Sequence, residues 1–87
     1  MNFLHYEVTT NIASVIRVNL TGNAANVLVM DDINFQRFKQ GSQYEYYGGY
    51  YTRSPAIIKP PQAGRWNVVV NLGGGIGTVN ASVQVLG

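Results

Sequence analysis

The chain has 87 residues, no cysteine, one histidine and a formal net charge of +2. That length makes one domain around one core, and the composition excludes disulfides, thiolate metal sites and multi-histidine metal centres. The basic residues Arg17, Arg37, Lys39, Arg53, Lys59 and Arg65 are scattered singly, which excludes the clustered basic face of a nucleic-acid binder. With only 11% charged residues, the surface must be largely Asn, Gln, Thr, Ser and Tyr, a composition suited to contact with a protein or a neutral ligand.

Leu4, Tyr6 and Val8 alternate with Phe3, His5 and Glu7, and Ile16, Val18 and Leu20 alternate with Val15, Arg17 and Asn19. Period two predicts a strand in each case, separated by the polar turn Thr9-Thr10-Asn11. The valine-rich run Ala25 to Met30 predicts a strand covered on both faces. Asp31 to Gln40 breaks the pattern: an Asp to cap, Phe35 and Phe38 three apart, and Gly41 as a left-handed stop predict one short helical turn near 32–39. Prolines at 55, 60 and 61 bound a short strand at Ala56 to Ile58 and place it at a sheet edge. Arg65 to Leu72 and Thr78 to Val85 alternate on either side of Gly73-Gly74-Gly75-Ile76-Gly77 and read as a hairpin. Seven or eight short strands with one helix predict an all-β antiparallel β-sandwich of jelly-roll type, a single domain over 1–87.

The stretch QYEYYGGYYTR, residues 43–53, holds five of the six tyrosines. A two-residue turn at Gly48-Gly49 would pair Tyr47 with Tyr50 and Tyr46 with Tyr51, leaving aromatic rings on both faces of a hairpin. Such rings either cover the core or form a recognition surface, since tyrosine supplies rigid amphipathic area at low entropic cost. The residues expected to contact a ligand are Tyr47, Tyr50, Tyr51 and Arg53, with Trp66 behind them, and a protein, peptide or carbohydrate is the expected partner. A rival reading buries the same rings in a homo-oligomer, because uncharged edges pair readily.

His5 and Glu7 share a face and begin a general-base pair, but no nucleophile is identifiable, so the chain is read as non-enzymatic. Asp31, Asp32 and Asn34 match no calcium loop, and the glycine run lacks the Lys-Ser or Lys-Thr of a phosphate loop. No cofactor is implied. The triplets Asn19-Leu20-Thr21 and Asn80-Ala81-Ser82 match glycosylation acceptors, but the opening MNFLHYEVTTNIASV has neither a basic n-region nor a long apolar h-region. No run approaches the ~20 apolar residues of a membrane span, and a cytoplasmic location follows as the expectation.

Taken together, ANVLVMDDINFQRFKQG, YEYYGG and SPAIIKPPQAGRWNVVVNLGG resemble an uncharacterised bacterial family, domain-of-unknown-function family 1883, over nearly the whole chain. The resemblance implies a small β-sandwich with no assigned activity, found alone or beside TIR signalling domains. More loosely, NVLVMDDINF and GRWNVVVNL are similar to jelly-roll accessory domains of secreted peptidases. Neither likeness implies catalytic residues.

Overall fold

The alternating segments become strands in the computed structural model, which describes residues 2–74 and 76–87. In chain order the elements are β1 (Leu4–Thr10), β2 (Val15–Gly22), β3 (Ala25–Met30), α1 (Asp32–Gln40), β4 (Tyr47–Tyr51), β5 (Ala56–Ile58), β6 (Gly64–Asn71) and β7 (Val79–Leu86). They form two antiparallel sheets with strand orders β1-β6-β3-β4 and β5-β2-β7. Ile16 and Val18 of β2 and Ala56 and Ile58 of β5 pack against Val27, Val29, Trp66, Val68 and Val70 of the larger sheet to make the inter-sheet core. The expected all-β sandwich is therefore present. These strand orders establish a sandwich but not the eight-stranded, doubled Greek-key wiring of a jelly roll.

A second, smaller core lies on the outer face of the four-stranded sheet. Helix α1 lays Phe35 and Phe38 over Leu28, Met30 and Val69, with Phe3 and Tyr44 at the margin. The helix starts where capping chemistry dictates: Asp31 accepts from the Asn34 backbone N–H at 2.8 Å, satisfying one of the orphan donors of the first turn. It stops at Gly41, whose φ of 76° is left-handed. Because α1 covers one face and the second sheet the other, β3 is buried on both sides, as its composition predicted. Strand β5 lies at a sheet edge, as its flanking prolines predicted.

Two predicted hairpins are not formed. Gly48 and Gly49 make no turn; Tyr47 to Tyr51 run straight along β3, in register Tyr47 with Val29, Gly49 with Val27 and Tyr51 with Ala25. The glycine pair is locally competent to turn, but β3 offers a free edge whose backbone groups need partners, and pairing with it satisfies them. Directly opposed residues share a face, so Tyr47 and Tyr51 look toward the second sheet and Tyr50 looks away from it. The expected pairing of Tyr47 with Tyr50 and Tyr46 with Tyr51 is thereby replaced. Strands β6 and β7 also do not pair with each other. Both edges of β6 are occupied, by β1 and β3, so β7 crosses to the other sheet and joins β2. Within the glycine-rich crossover, Gly75 lies outside the described residues.

Candidate functional site

The segment between α1 and β4 is held by one amide. Asn34 donates from Nδ2 to Asp31 Oδ1 at 2.9 Å and accepts from the Glu45 N–H at 2.8 Å. This ties the helix N-terminus to the approach of β4 and brings Glu45 beside Asp31. Two residues later the register of β4 sets the Tyr47 ring edge-on to Trp66, with centroids 6.0 Å apart at 86°, an arrangement favoured by the ring quadrupoles. Trp66 itself is only 4% exposed, and its indole N–H donates to the Gln62 carbonyl at 3.1 Å. Together Asp31, Asn34, Glu45, Tyr47, Gln62 and Trp66 line a cleft of about 240 Å³.

The cleft joins an exposed aromatic ring to two carboxylates. Among the described residues the ion pairs are Arg65 with Glu7 at 2.8 Å and Arg65 with Asp32 at 3.4 Å, and neither Asp31 nor Glu45 takes part in one. Chemically, such a site offers acceptors and a ring face to a ligand carrying positive charge or N–H donors.

The five residues singled out in the sequence are not brought to one place. Tyr47 and Trp66 meet in the cleft. Tyr51 packs against the inter-sheet core and, with Arg53, lines a separate hollow of about 50 Å³ beside Leu20 and Ser54. Tyr50 is 64% exposed and stands on the opposite face of β4. Of the remaining tyrosines in the stretch, Tyr44 packs edge-on against Phe38 at 5.2 Å, and Tyr46 leans on Tyr44 at 5.8 Å. Sequence reasoning passed over Glu45 and Gln62 as ligand contacts and took Asp31 only for a cap. A carboxylate embedded in a tyrosine run was the one available signal.

His5 and Glu7 do share a face of β1, but each is engaged elsewhere. Glu7 pairs with Arg65. His5 stacks on Phe35 with centroids 4.0 Å apart, and its Nε2 lies 2.8 Å from Asn67 Oδ1. Both amide hydrogens of Asn67 are committed, to Met30 O at 3.3 Å and Asp32 Oδ1 at 2.7 Å, so its oxygen must accept and His5 Nε2 must donate. That nitrogen is thereby engaged with Asn67. Neither His5 nor Glu7 lines any of the three hollows described.

The hydrogen bond from Asn67 holds the Asp32 carboxyl below its ordinary value of 3.8; partial desolvation opposes this, and the Arg65 charge and hydrogen bond reinforce it, with His5 adding a smaller pull. A carboxylate with a depressed folded-state pKa contributes stability above its unfolded value and loses it as pH falls through the folded one. Acid unfolding should therefore be shallower below about pH 4 for Asp32→Asn than for the wild type, because the variant no longer has this carboxylate to protonate. Melting temperatures compared across that range check it; parallel curves would deny Asp32 the role.

A further hollow, about 570 Å³, opens between Phe3, Leu4, Val70, Leu72 and Val79. Asn2, Thr78 and Asn80 also line it, and among the described residues its lining carries no titratable side chain. Among the described residues no group of three or more His, Cys, Asp or Glu could hold a metal ion, and no helix is long and apolar enough to cross a membrane.

No curated protein and no solved structure matches the chain. Over residues 1–87 the sequence does match the family described as Domain of unknown function (DUF1883), the one its three motifs resemble, and the chain belongs to that family.

Proposed function

We propose that this domain is a non-enzymatic binding module that takes a basic side chain of a protein or peptide into the cleft between α1, β4 and β6. The observation that carries the reading is the placement of Tyr47 on Trp66 beside Asp31 and Glu45, two carboxylates without a cation partner among the described residues. A Lys or Arg head group can meet the carboxylates with its N–H donors while its stem lies along the tyrosine ring. Gln62, which also lines the cleft, brings a neutral amide side chain to this part of the chain.

The chain's single tryptophan sits at this cleft, so its emission reports on the site alone. Titration with Nα-acetyl-lysine methylamide and Nα-acetyl-arginine methylamide should change Trp66 fluorescence, whereas the norleucine and citrulline counterparts should not. Tyr47→Ala and Glu45→Gln should each weaken the response at least about threefold, the loss of one cation–π or ion-pair contact. Equal responses to charged and neutral probes, or variants that bind as the wild type does, would remove the reading.

A further inference from the structure

Four strands lie at sheet edges: β1 and β4 in one sheet, β5 and β7 in the other. Exposed edges invite pairing with other chains and are usually blunted. Strand β4 is five residues long and carries two glycines, Gly48 with φ 117°, β5 is three residues long between prolines, and β1 carries Glu7 in an ion pair. Strand β7 has none of these devices, and of its outward groups the Ala81 carbonyl is the one partnered by a side chain, the Tyr6 hydroxyl at 3.1 Å, which leaves it a second lone pair. Its eight residues, VNASVQVL, contain no charge, no glycine and no proline.

The direction of its backbone groups follows from β2. The Leu20 N–H donates to Ser54 Oγ at 2.8 Å, on the β5 side of that strand. Leu20 is opposite Ala81, and in an antiparallel ladder a residue's N–H and C=O point to the same side, so this is a non-hydrogen-bonded pair. The N–H and C=O of Ala81 therefore point away from β2. Tyr6 corroborates this independently, since its hydroxyl reaches from the other sheet to donate to the Ala81 carbonyl at 3.1 Å. By alternation Val79, Val83 and Val85 also turn their backbone groups outward, while their side chains remain half-buried along the same margin.

We propose that two copies of this chain associate through β7, pairing antiparallel along these outward groups so that each three-stranded sheet continues into the other. A second copy meets no charge penalty at this edge. A two-fold antiparallel pair sets each side chain against its own copy or a near neighbour, where any charge would meet its like, and β7 has none to repel. Because the outward groups belong to odd-numbered residues, the axis falls at Ser82, with Ala81 against Val83, or at Val83 against itself. With the axis at Ser82, Asn80 of one copy faces Gln84 of the other, amide to amide. One such strand pair buries less than the ~1,000 Å² of a stable interface, so association depends on concentration.

Sedimentation velocity of the full chain between about 5 and about 500 µM should show a monomer converting toward a dimer by mass action. Val83→Pro removes an outward N–H without breaking a bond inside the subunit, and Ser82→Lys sets like charges together at the axis. Each should abolish association while circular dichroism and melting behaviour stay those of a folded chain, and mixing Ser82→Lys with Ser82→Glu should restore a dimer. A wild type that is monomeric throughout, or both variants associating as it does, overturns the proposal. So does loss of association on Tyr50→Ala, which would place the contact on the tyrosine face. The outcome is independent of the lysine-probe titration, which reads a different side of the molecule.

Discussion

Gly48→Ala should cost about 2–4 kcal/mol of folding stability, because the residue takes on a strained backbone conformation and a steric clash together. Gly49→Ala, one residue on, should be neutral or stabilise by about 0.5 kcal/mol through the unfolded chain. Gly48 has φ 117°, and a Cβ built on it runs into the Val27 carbonyl oxygen and meets Ile58 Cδ1 at 3.3 Å. Gly49 is not among the positive-φ glycines, and an added Cβ there meets nothing within 4 Å. The asymmetry separates this strand from a type I′ turn. Such a turn at Gly48-Gly49 needs positive φ at both central positions, so both substitutions would then be costly. Urea unfolding of the two variants measures the difference directly, and equal losses would restore the turn.

Asn67→Ala should be comparably damaging, at about 2–4 kcal/mol. Asn67 is 1% exposed, and its amide joins His5, Met30 O and Asp32 in one network. Truncation leaves the buried Met30 carbonyl without that donor and frees both ends of the network. Asn67→Asp should be worse at neutral pH, since a second carboxylate would stand against Asp32 where the amide now donates. Like charge and burial would raise that new carboxyl's pKa above its unfolded value. Its stability contribution would then be present at low pH and lost as pH rises through the folded pKa. Asn67→Asp should accordingly gain on the wild type as pH falls toward about 4. A thermal-melt series would show this, and a constant gap between the two proteins would indicate that Asn67 acts through packing alone.

What was legible in the sequence was local. Asp31 and Gly41 mark the ends of α1 because capping requires one short acceptor and one left-handed residue, both readable without knowledge of neighbours. The apolar run of β3 and the prolines around β5 carry equally local meaning. The misread features depend on what lies across the fold. Gly48-Gly49 has the chemistry of a turn, but the free edge of β3 decides its course. The glycine run before β7 suits a hairpin, yet β6 has no edge left to offer. Asn67 occupies the polar phase of an alternating strand and so reads as solvent-facing; α1 then covers that face, and the amide becomes an internal connector instead.

The candidate site was half legible for the same reason. Aromatic composition flagged Tyr47, and position at the head of an alternating strand flagged Trp66. No spacing rule links Asp31, Glu45 and Gln62, which arrive from the helix cap, the approach to β4 and the loop before β6. Their meeting depends on Asn34 bridging two segments, an interaction 11 residues apart in sequence.

Nuclear Overhauser spectroscopy of the isotope-labelled chain tests most directly whether the tyrosine segment is a straight edge strand that seats Tyr47 on Trp66. Cross-strand contacts between Gly49 and Val27, together with ring contacts between Tyr47 and the Trp66 indole, are the predicted result. Contacts between Tyr47 and Tyr50 across a Gly48-Gly49 turn, with none from Tyr47 to Trp66, would contradict it and dissolve the cleft.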